Sequence, residues 1–464
     1  MAEKNDPLKG YRGRARQRLQ ELGVRVWSEV RVLNDEGSTF EGVILPRSET
    51  ADDLHVVVKL ATGYNVGLHI DRIREVEELG FKEAVYKIRE QEFPHGPDLP
   101  KVTLLGTGGT IASRLDYRTG AVIPAFTPGE LYGAVPELAD LCNLTTRKIF
   151  GVFSENMGWE EYATLEQAIG EEIEAGVDGV VIGHGTDTMG HTAAVLSFMV
   201  QGSPVPIVVV GSQRSSDRPS SDAALNLIHA VRSAAYGDIA EVQICMFGPT
   251  SDQYGLLHRG TRCRKMHSSY RSTFRTVGDI PLCRVSASDF GPLTHEYLPR
   301  NPNRRVKIDP VYDDRVTILY YYPGMKADVV DALVDQGYKG IVIAGTGLGH
   351  VNKPVYPALE RAIEKGVQVV MTVQTLWGYA QMYVYDTGRD LLDIGVVPLD
   401  NMLPETALMK LGWVLGHTHD HDKVQEMMRH SYSHEITERE PHNGYIILQG
   451  GLPETEEFIL SQWK

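Results

Sequence analysis

Two short glycine-rich segments carry hydroxyl and carboxylate side chains at spacings that suit catalysis. They are Gly106-Thr107-Gly108-Gly109-Thr110 and Gly183-His184-Gly185-Thr186-Asp187-Thr188. Each follows an apolar run, residues 102–105 and 179–182. Glycine lets a backbone turn tightly and approach a ligand closely. Thr110 would therefore emerge with its hydroxyl in a crevice, and Thr186 and Asp187 beside it from a nearby strand. A neutral threonine hydroxyl is a weak nucleophile and needs a neighbouring base. Backbone N–H groups in such turns can hold a tetrahedral oxyanion. The plainer alternative is two ordinary strand-to-helix turns whose Thr and Asp cap helices. The first segment lacks the G-K-[ST] ending of a P-loop and does not make the G-x-G-x-x-G dinucleotide pattern. A third cluster, His417-Thr418-His419-Asp420-His421, has metal-ligand residue types. It follows a helical pattern ending near Leu415, where histidines favour a helix C-terminus, so no metal is expected there.

The elements that must position these residues follow from periodicity. From Lys101 onward, wholly apolar runs end in Gly-rich turns and alternate with longer helical patterns. Residues 102–105, 179–182 and 207–210 read as strands. Trp159, Tyr162, Ile169 and Ile173 share a helical face, with Glu160, Glu161, Glu171 and Glu172 off it. Apolar strands alternating with helices indicate a parallel sheet covered on both sides. In such sheets ligands bind beyond the carboxyl ends of the strands, where the two segments lie. A polar linker, residues 299–310, leads to a second α/β block. Its predicted strands are 316–321, 340–344 and 367–372, and its helices lie near 326–336 and 355–365.

The first 95 residues read differently. Short runs at 24–32, 39–45, 54–60 and 66–70, separated by turn signals such as Asn34-Asp35-Glu36-Gly37-Ser38, predict a small antiparallel barrel, SH3-like in size. Polar residues 71–87 suggest a helix leading out, and the Pro-rich stretch 92–100 a linker. Arg12, Arg14, Arg16 and Arg18 near the start read as solvated charges on a flexible segment.

The chain has 464 residues, and 46 Lys+Arg against 61 Asp+Glu leave a net charge of −15. An acidic chain repels phosphate backbones, so any nucleic acid must be held by a local patch or a partner. The 42% hydrophobic and 23% charged composition excludes a disordered or fibrous chain. Four scattered cysteines, none in a C-x-x-C pair, fit idle thiols in a reducing cytosol. The N-terminus has no apolar core like that of a signal peptide, and no apolar run approaches the ~20 residues of a membrane helix. The expectation is a cytoplasmic protein with no membrane contact.

Taken together, GTGGTIAS at 106–113 and GHGTDTM at 183–189 resemble the two signatures of the bacterial-type L-asparaginase family. The resemblance runs from about residue 101 to about 415. It implies two asparaginase-like α/β domains and side-chain amide hydrolysis through a threonine acyl-enzyme. By motif, Thr110 matches the nucleophile, Thr186 and Asp187 the Thr-Asp pair, and Lys265 in RKMHSS the family lysine. Ser154 and Glu155 in FSENM match the segment that holds the substrate's α-amino and α-carboxylate groups. Tyr117 takes the place of a lid tyrosine. Chemically, a lysine buried beside Thr186 would accept a proton through the Thr186 hydroxyl, and Asp187 would anchor the substrate ammonium and orient the lysine.

A stand-alone enzyme of this kind needs only the two α/β domains. Here an extra β-rich module precedes them and a longer C-terminal end, 435–464, follows. With TGGTIASRLDYRTGAV and SENMGWEEY, the whole chain is similar to the D subunits of archaeal glutamyl-tRNA(Gln) amidotransferases. That resemblance implies a ligase complex in which this chain hydrolyses glutamine. The ammonia passes to a separate E subunit, which binds the mischarged tRNA and uses ATP and Mg2+. It also implies a homodimer of this chain within a heterotetramer, tRNA contact mainly through the partner, and no cofactor in this chain. The domains would be 1–95, 96–298 and 311–464. Two other functions compete: a free asparaginase or glutaminase with an accessory domain, and a binding protein on an inactive amidase fold. The joint presence of Thr110, Thr186, Asp187 and Lys265 counts against the last.

Overall fold

The computed structural model describes residues 6–8, 10–47, 51–60, 65–81, 96–108, 113–116, 121–124, 135–214, 220–249, 252–442, 444–445 and 461. Thr110, Tyr117 and the linker residues 92–95 lie outside the described residues. The chain divides into two compact units, Met1–Arg89 with Ser113–Ile123, and Glu90–Ala112 with Pro124–Lys464.

The first unit is an antiparallel sheet of β1 (Ser28–Asn34), β2 (Thr39–Ile44), β3 (His55–Leu60), β4 (Asn65–His69) and β5 (Ile73–Phe81), in the order β4-β3-β2-β1-β5. The turn between β1 and β2 forms because the Asn34 side-chain oxygen accepts from the amides of Glu36 and Ser38, while Gly37 takes φ of 83°. Alternate residues Val30, Val32, Val56 and Val58 face a core shared with Ala15 and Leu19.

Two expectations fail here. Residues 73–81 are a strand, not part of a helix. Ile73, Val76 and Leu79 recur every third residue, which mimics a helical face, but antiparallel pairing with β1 overrides that local pattern. The arginine-rich start is no flexible tail either. Residues 13–21 form a helix whose Ala15 and Leu19 are buried. Arg14 pairs with Asp71 at 2.6 Å and Arg16 with Asp6 at 2.7 Å, while Arg12 and Arg18 donate to the carbonyls of Ala51 and Ile73.

The second unit holds an eight-stranded sheet and a four-stranded parallel sheet. Five parallel strands form the body of the larger sheet. From one edge they are Asn143–Lys148, Lys101–Gly106, Gly179–Gly183, Ile207–Val210 and Val242–Phe247. Numbered along the chain this order is 2-1-3-4-5. Its topological switch point lies between the first and third strands, where open α/β sheets bind ligands. Those are the strands that lead into the two glycine-rich segments. Three antiparallel strands extend the other edge, starting with Gly255–Arg259. The sheet is therefore mixed rather than wholly parallel.

The smaller sheet runs Val316–Tyr320, Gly340–Gly345, Gln368–Val373 and Val397–Pro398. The helix Met189–Met199 is buried along nearly its whole length, and its sequence is mostly apolar on every face. It packs on the helix Pro404–His417, with Phe198 stacked on Trp413 at 5.8 Å, so the two α/β blocks share one core. The 299–310 linker is tied down. Arg300 donates to the carbonyls of Ala234 and Gly237, and the Asp309 amide to the buried Glu166 carboxyl at 2.5 Å. Among the described residues no helix is long and apolar enough to cross a membrane. The four cysteines are buried and free.

Candidate active site

The strands Lys101–Gly106 and Gly179–Gly183 pair in parallel, with Gly106 opposite Gly183. Both glycine-rich turns therefore leave the sheet at the same level. Thr107 closes the junction: its amide and hydroxyl both reach the Gly183 carbonyl, at 3.1 and 2.9 Å. Gly108 has φ of 119°, and a Cβ there would lie 2.4 Å from the Val152 carbonyl oxygen. No other residue fits that position without moving the backbone. The Val152 amide in turn donates to the Thr107 carbonyl at 3.1 Å, which brings residues 152–155 alongside the first turn.

The second turn holds the same segment from the other side. A Cβ on Gly185 would sit 2.8 Å from the Cβ and Oγ of Ser154. The Thr188 hydroxyl donates to the Ser154 carbonyl at 2.7 Å. Thr188 occupies the N-cap of the helix Met189–Met199, yet its side chain makes no capping bond. The helix-capping explanation of this motif thus fails for Thr188. Ser154 is buried, whereas Glu155 is exposed.

Lys265 arrives from a three-residue strand, Cys263–Lys265, paired with Phe274–Thr276. Its Nζ donates to Thr186 Oγ1 at 3.0 Å and to Asp187 Oδ1 at 2.8 Å. The Lys265 side chain is 12% exposed and that of Asp187 69%. A lysine shielded on its stem thus meets a carboxylate open to an incoming ligand. The geometry brings together Thr186, Asp187 and Lys265, with Ser154 tethered next to them through Thr188. Among the described residues no hydrogen bond joins Glu155 to Thr186, Asp187 or Lys265.

His184 and Thr188 went unassigned in the sequence, although both lie within GHGTDTM. His184 is fully buried, and burial pulls its imidazole down to about 4. A neutral ring makes two bonds of opposite sense: Nδ1–H donates to the Gly185 carbonyl at 2.6 Å and Nε2 accepts from the Thr192 hydroxyl at 2.8 Å. The ring thereby fixes the peptide just before Thr186. In the 417–421 cluster, His417 pairs with Asp309, His419 with Asp313, and His421 bonds Gln368 and Gln425. Among the described residues no three potential metal ligands converge.

Comparison with known proteins agrees with this arrangement. The family model for the asparaginase N-terminal domain matches residues 101–294 and that for the glutaminase/asparaginase C-terminal domain residues 315–428. The GatD N-terminal domain model matches residues 24–79. Among solved structures, the thermostable L-asparaginase from Thermococcus kodakarensis aligns with a TM-score of 0.65 and 30% identity, covering 73% of this chain and 99% of that one. L-asparaginase I from Vibrio cholerae aligns with a TM-score of 0.63 and 27% identity, covering 73% and 99%. Among curated sequences, the D subunit of glutamyl-tRNA(Gln) amidotransferase from Thermococcus kodakarensis is 49% identical over 424 residues, 90% of this chain and 96% of that one. Its counterpart in Methanopyrus kandleri is 47% identical over 437 residues, 92% and 95%. An asparaginase-like α/β body, a distinct N-terminal module and identity over nearly the whole length of both chains place this chain in the family of glutamyl-tRNA(Gln) amidotransferase D subunits.

Proposed function

We propose that the chain is the glutaminase subunit of a tRNA-dependent amidotransferase. The observation that carries this reading is the contact of Lys265 with both Thr186 and Asp187 at the sheet's switch point. Thr110 Oγ attacks the side-chain amide carbon of glutamine, and its proton passes through the Thr186 hydroxyl to Lys265. Backbone N–H groups of the glycine turns hold the oxyanion. The C–N bond then breaks, the amide nitrogen takes a proton and leaves as ammonia, and water hydrolyses the Thr110 ester to release glutamate.

The substrate's α-ammonium competes with Lys265 for the Asp187 carboxylate, which is the more exposed member of that pair. Ser154 and Glu155 take the substrate's α-substituents, and Tyr117 covers it. The ammonia goes to an E subunit that binds the mischarged tRNA and holds ATP and Mg2+. This chain needs no cofactor and forms a homodimer within a heterotetramer.

We assign the domains to 1–95, 96–298 and 311–464, and the first module to an SH3-like barrel built on the five-stranded sheet. A free L-asparaginase or glutaminase is the second reading, favoured by the alignment to nearly the whole length of a stand-alone asparaginase. The separating experiment measures glutamine and asparagine hydrolysis with and without the E subunit and charged tRNA. Glutaminase that supports amidation only in the complex fits the first reading. Equal, partner-independent hydrolysis with no amidation refutes it.

A further inference from the structure

The strand that carries Lys265 lies outside both large sheets and pairs only with Phe274–Thr276, so contacts beyond that short ladder must help to fix its position. Strand alternation sends Lys265 toward Thr186 and Asp187, while Arg264 turns the other way, to Glu405 at 2.5 Å. Just upstream, Arg262 is fully buried, and its partners come from far along the chain. Its guanidinium donates to the Asn401 carbonyl at 2.7 Å, to Asn401 Oδ1 at 2.9 Å, to the Thr437 hydroxyl at 3.1 Å and to the His434 carbonyl at 3.2 Å. The neighbouring Thr261 hydroxyl donates to the Ser433 carbonyl at 2.8 Å.

Residues 432–440 are themselves firmly seated. Glu435 meets Lys410 at 2.7 Å, with both side chains fully buried. Asn401 Nδ2 donates to the Thr437 hydroxyl at 2.7 Å, the Tyr379 hydroxyl to the Thr437 carbonyl at 3.1 Å, and the Gly378 amide to Glu440 at 3.0 Å. Burial pulls the Arg262 guanidinium down to about 10, against the opposing pull of Asp279, Glu440 and Glu435. It stays charged at neutral pH, and two of those three carboxylates belong to this segment. The segment begins beyond residue 428, where the match to the asparaginase C-terminal family model ends.

We propose that residues 432–440 are a strap that positions the Lys265 strand, with Arg262 as the positioning residue between strap and base. The hydrolytic rate then depends on a segment outside the matched amidase domains. This rests on the reading of Lys265 as the base.

The test uses the full chain and measures glutamine hydrolysis by Thr437→Val and Thr437→Ser. Valine removes the hydroxyl that meets Arg262 and Asn401 and keeps the shape; serine keeps the hydroxyl. Displacing a catalytic group by a fraction of an ångström should lower kcat by roughly tenfold for valine. KM should stay within about twofold, the acid limb of the kcat/KM pH profile should move, and serine should restore both. A valine variant with the unaltered kcat and pH profile overturns the proposal, as does a serine variant no better than valine. If the valine variant does not fold, Glu440→Gln, nearly isosteric, reads the same split, and an unchanged kcat there overturns the proposal as well. Lys265→Ala in the same assay keeps the two ideas apart. An active Lys265→Ala sinks the reading of the base itself. An inactive Lys265→Ala beside a fully active Thr437→Val sinks only the strap.

Discussion

Replacing Thr188 by valine removes one oxygen and leaves the side chain's shape unchanged. That oxygen donates to the Ser154 carbonyl at 2.7 Å and caps no helix. The helix Met189–Met199 should therefore not notice the change, whereas the 152–155 segment loses one of its ties to the second glycine turn. A net hydrogen bond contributes about 1 kcal/mol, and a carbonyl left unpaired in a partly buried place costs about 1–3 kcal/mol. Gly185 still lets Ser154 approach, and Thr107 still holds Val152, so the segment loosens rather than leaves. The energy appears in substrate binding, because Ser154 and Glu155 are proposed to hold the α-substituents and not the reacting carbon. With about 1.4 kcal/mol per factor of ten, KM for glutamine should rise roughly three- to tenfold, with kcat within about twofold. Steady-state glutamine hydrolysis by the purified chain reads both values, and differential scanning calorimetry should show a melting shift below about 2 °C. A kcat loss of roughly tenfold with KM unchanged would refute the assignment of this segment to ground-state binding.

Thr110→Ala should abolish glutamine-dependent amidation while free ammonia still supports it in the assembled complex; retained glutaminase would remove the acyl-enzyme. Asp187→Ala should raise KM and lower kcat together, since the substrate ammonium and Lys265 lose the same carboxylate, and a pure KM effect would count against the second role. Burial holds His184 and His229 down to about 4 and His258 to about 3. Each binds its proton less readily folded than unfolded, so their stability contribution is complete above about pH 6.5 and is lost as pH falls toward 4, of order 3 kcal/mol for His184. A melting temperature flat from pH 7 to 4.5 would contradict this. A chain starting at residue 97 should remain folded and keep its basal glutaminase, because the first unit has its own core around Val30, Val32, Val56 and Val58; loss of solubility would show that the module completes the amidase body.

The parallel strands were legible because both faces of each are covered. Val180, Val181 and Ile182 are all buried, so they form an unbroken apolar run that a half-exposed strand cannot show. The glycine turns were legible for a related reason: close approaches at Gly108 and Gly185 leave no room for a Cβ, and the sequence records that as glycine. Lys265 was a different matter. It stands 78 residues from Asp187, on a strand too short to show a period, and only the family motif singled it out. Thr188 and His184 were hidden because their work is done through other residues' carbonyls, which leave no mark on residue type. The β5 error has the same origin in reverse. A strand whose solvent side carries Glu75 and Glu77, with Arg31 reaching across to Glu77, has no alternation strong enough to outweigh a chance spacing of three.

The two halves of the proposed machinery rest on interactions of very different strength. The described parts of the two glycine turns, residues 106–108 and 183–188, are extensions of adjacent, paired strands whose side chains are almost all buried. Each such apolar side chain contributes about 1.5–3 kcal/mol, so shifting one turn against the other means disturbing the core. Lys265 has a slighter anchor. Its strand pairs with only three residues, adds only Cys263 to the core, and is held further by Arg262 and Arg264. Each hydrogen bond among these contributes about 1 kcal/mol, or up to about 3 where a charge takes part. A binding event that redistributes a few kcal/mol can therefore move the base without unfolding anything, whereas the same energy cannot move the turns. If a partner protein or charged tRNA governs ammonia release, the Lys265 strand is where its binding energy has the most effect. Hydrogen exchange then offers a direct check. The Cys263–Lys265 and 432–440 amides should change protection on partner binding, while those of Gly179–Gly183 should not. Uniform protection of all three on partner binding would place the control elsewhere.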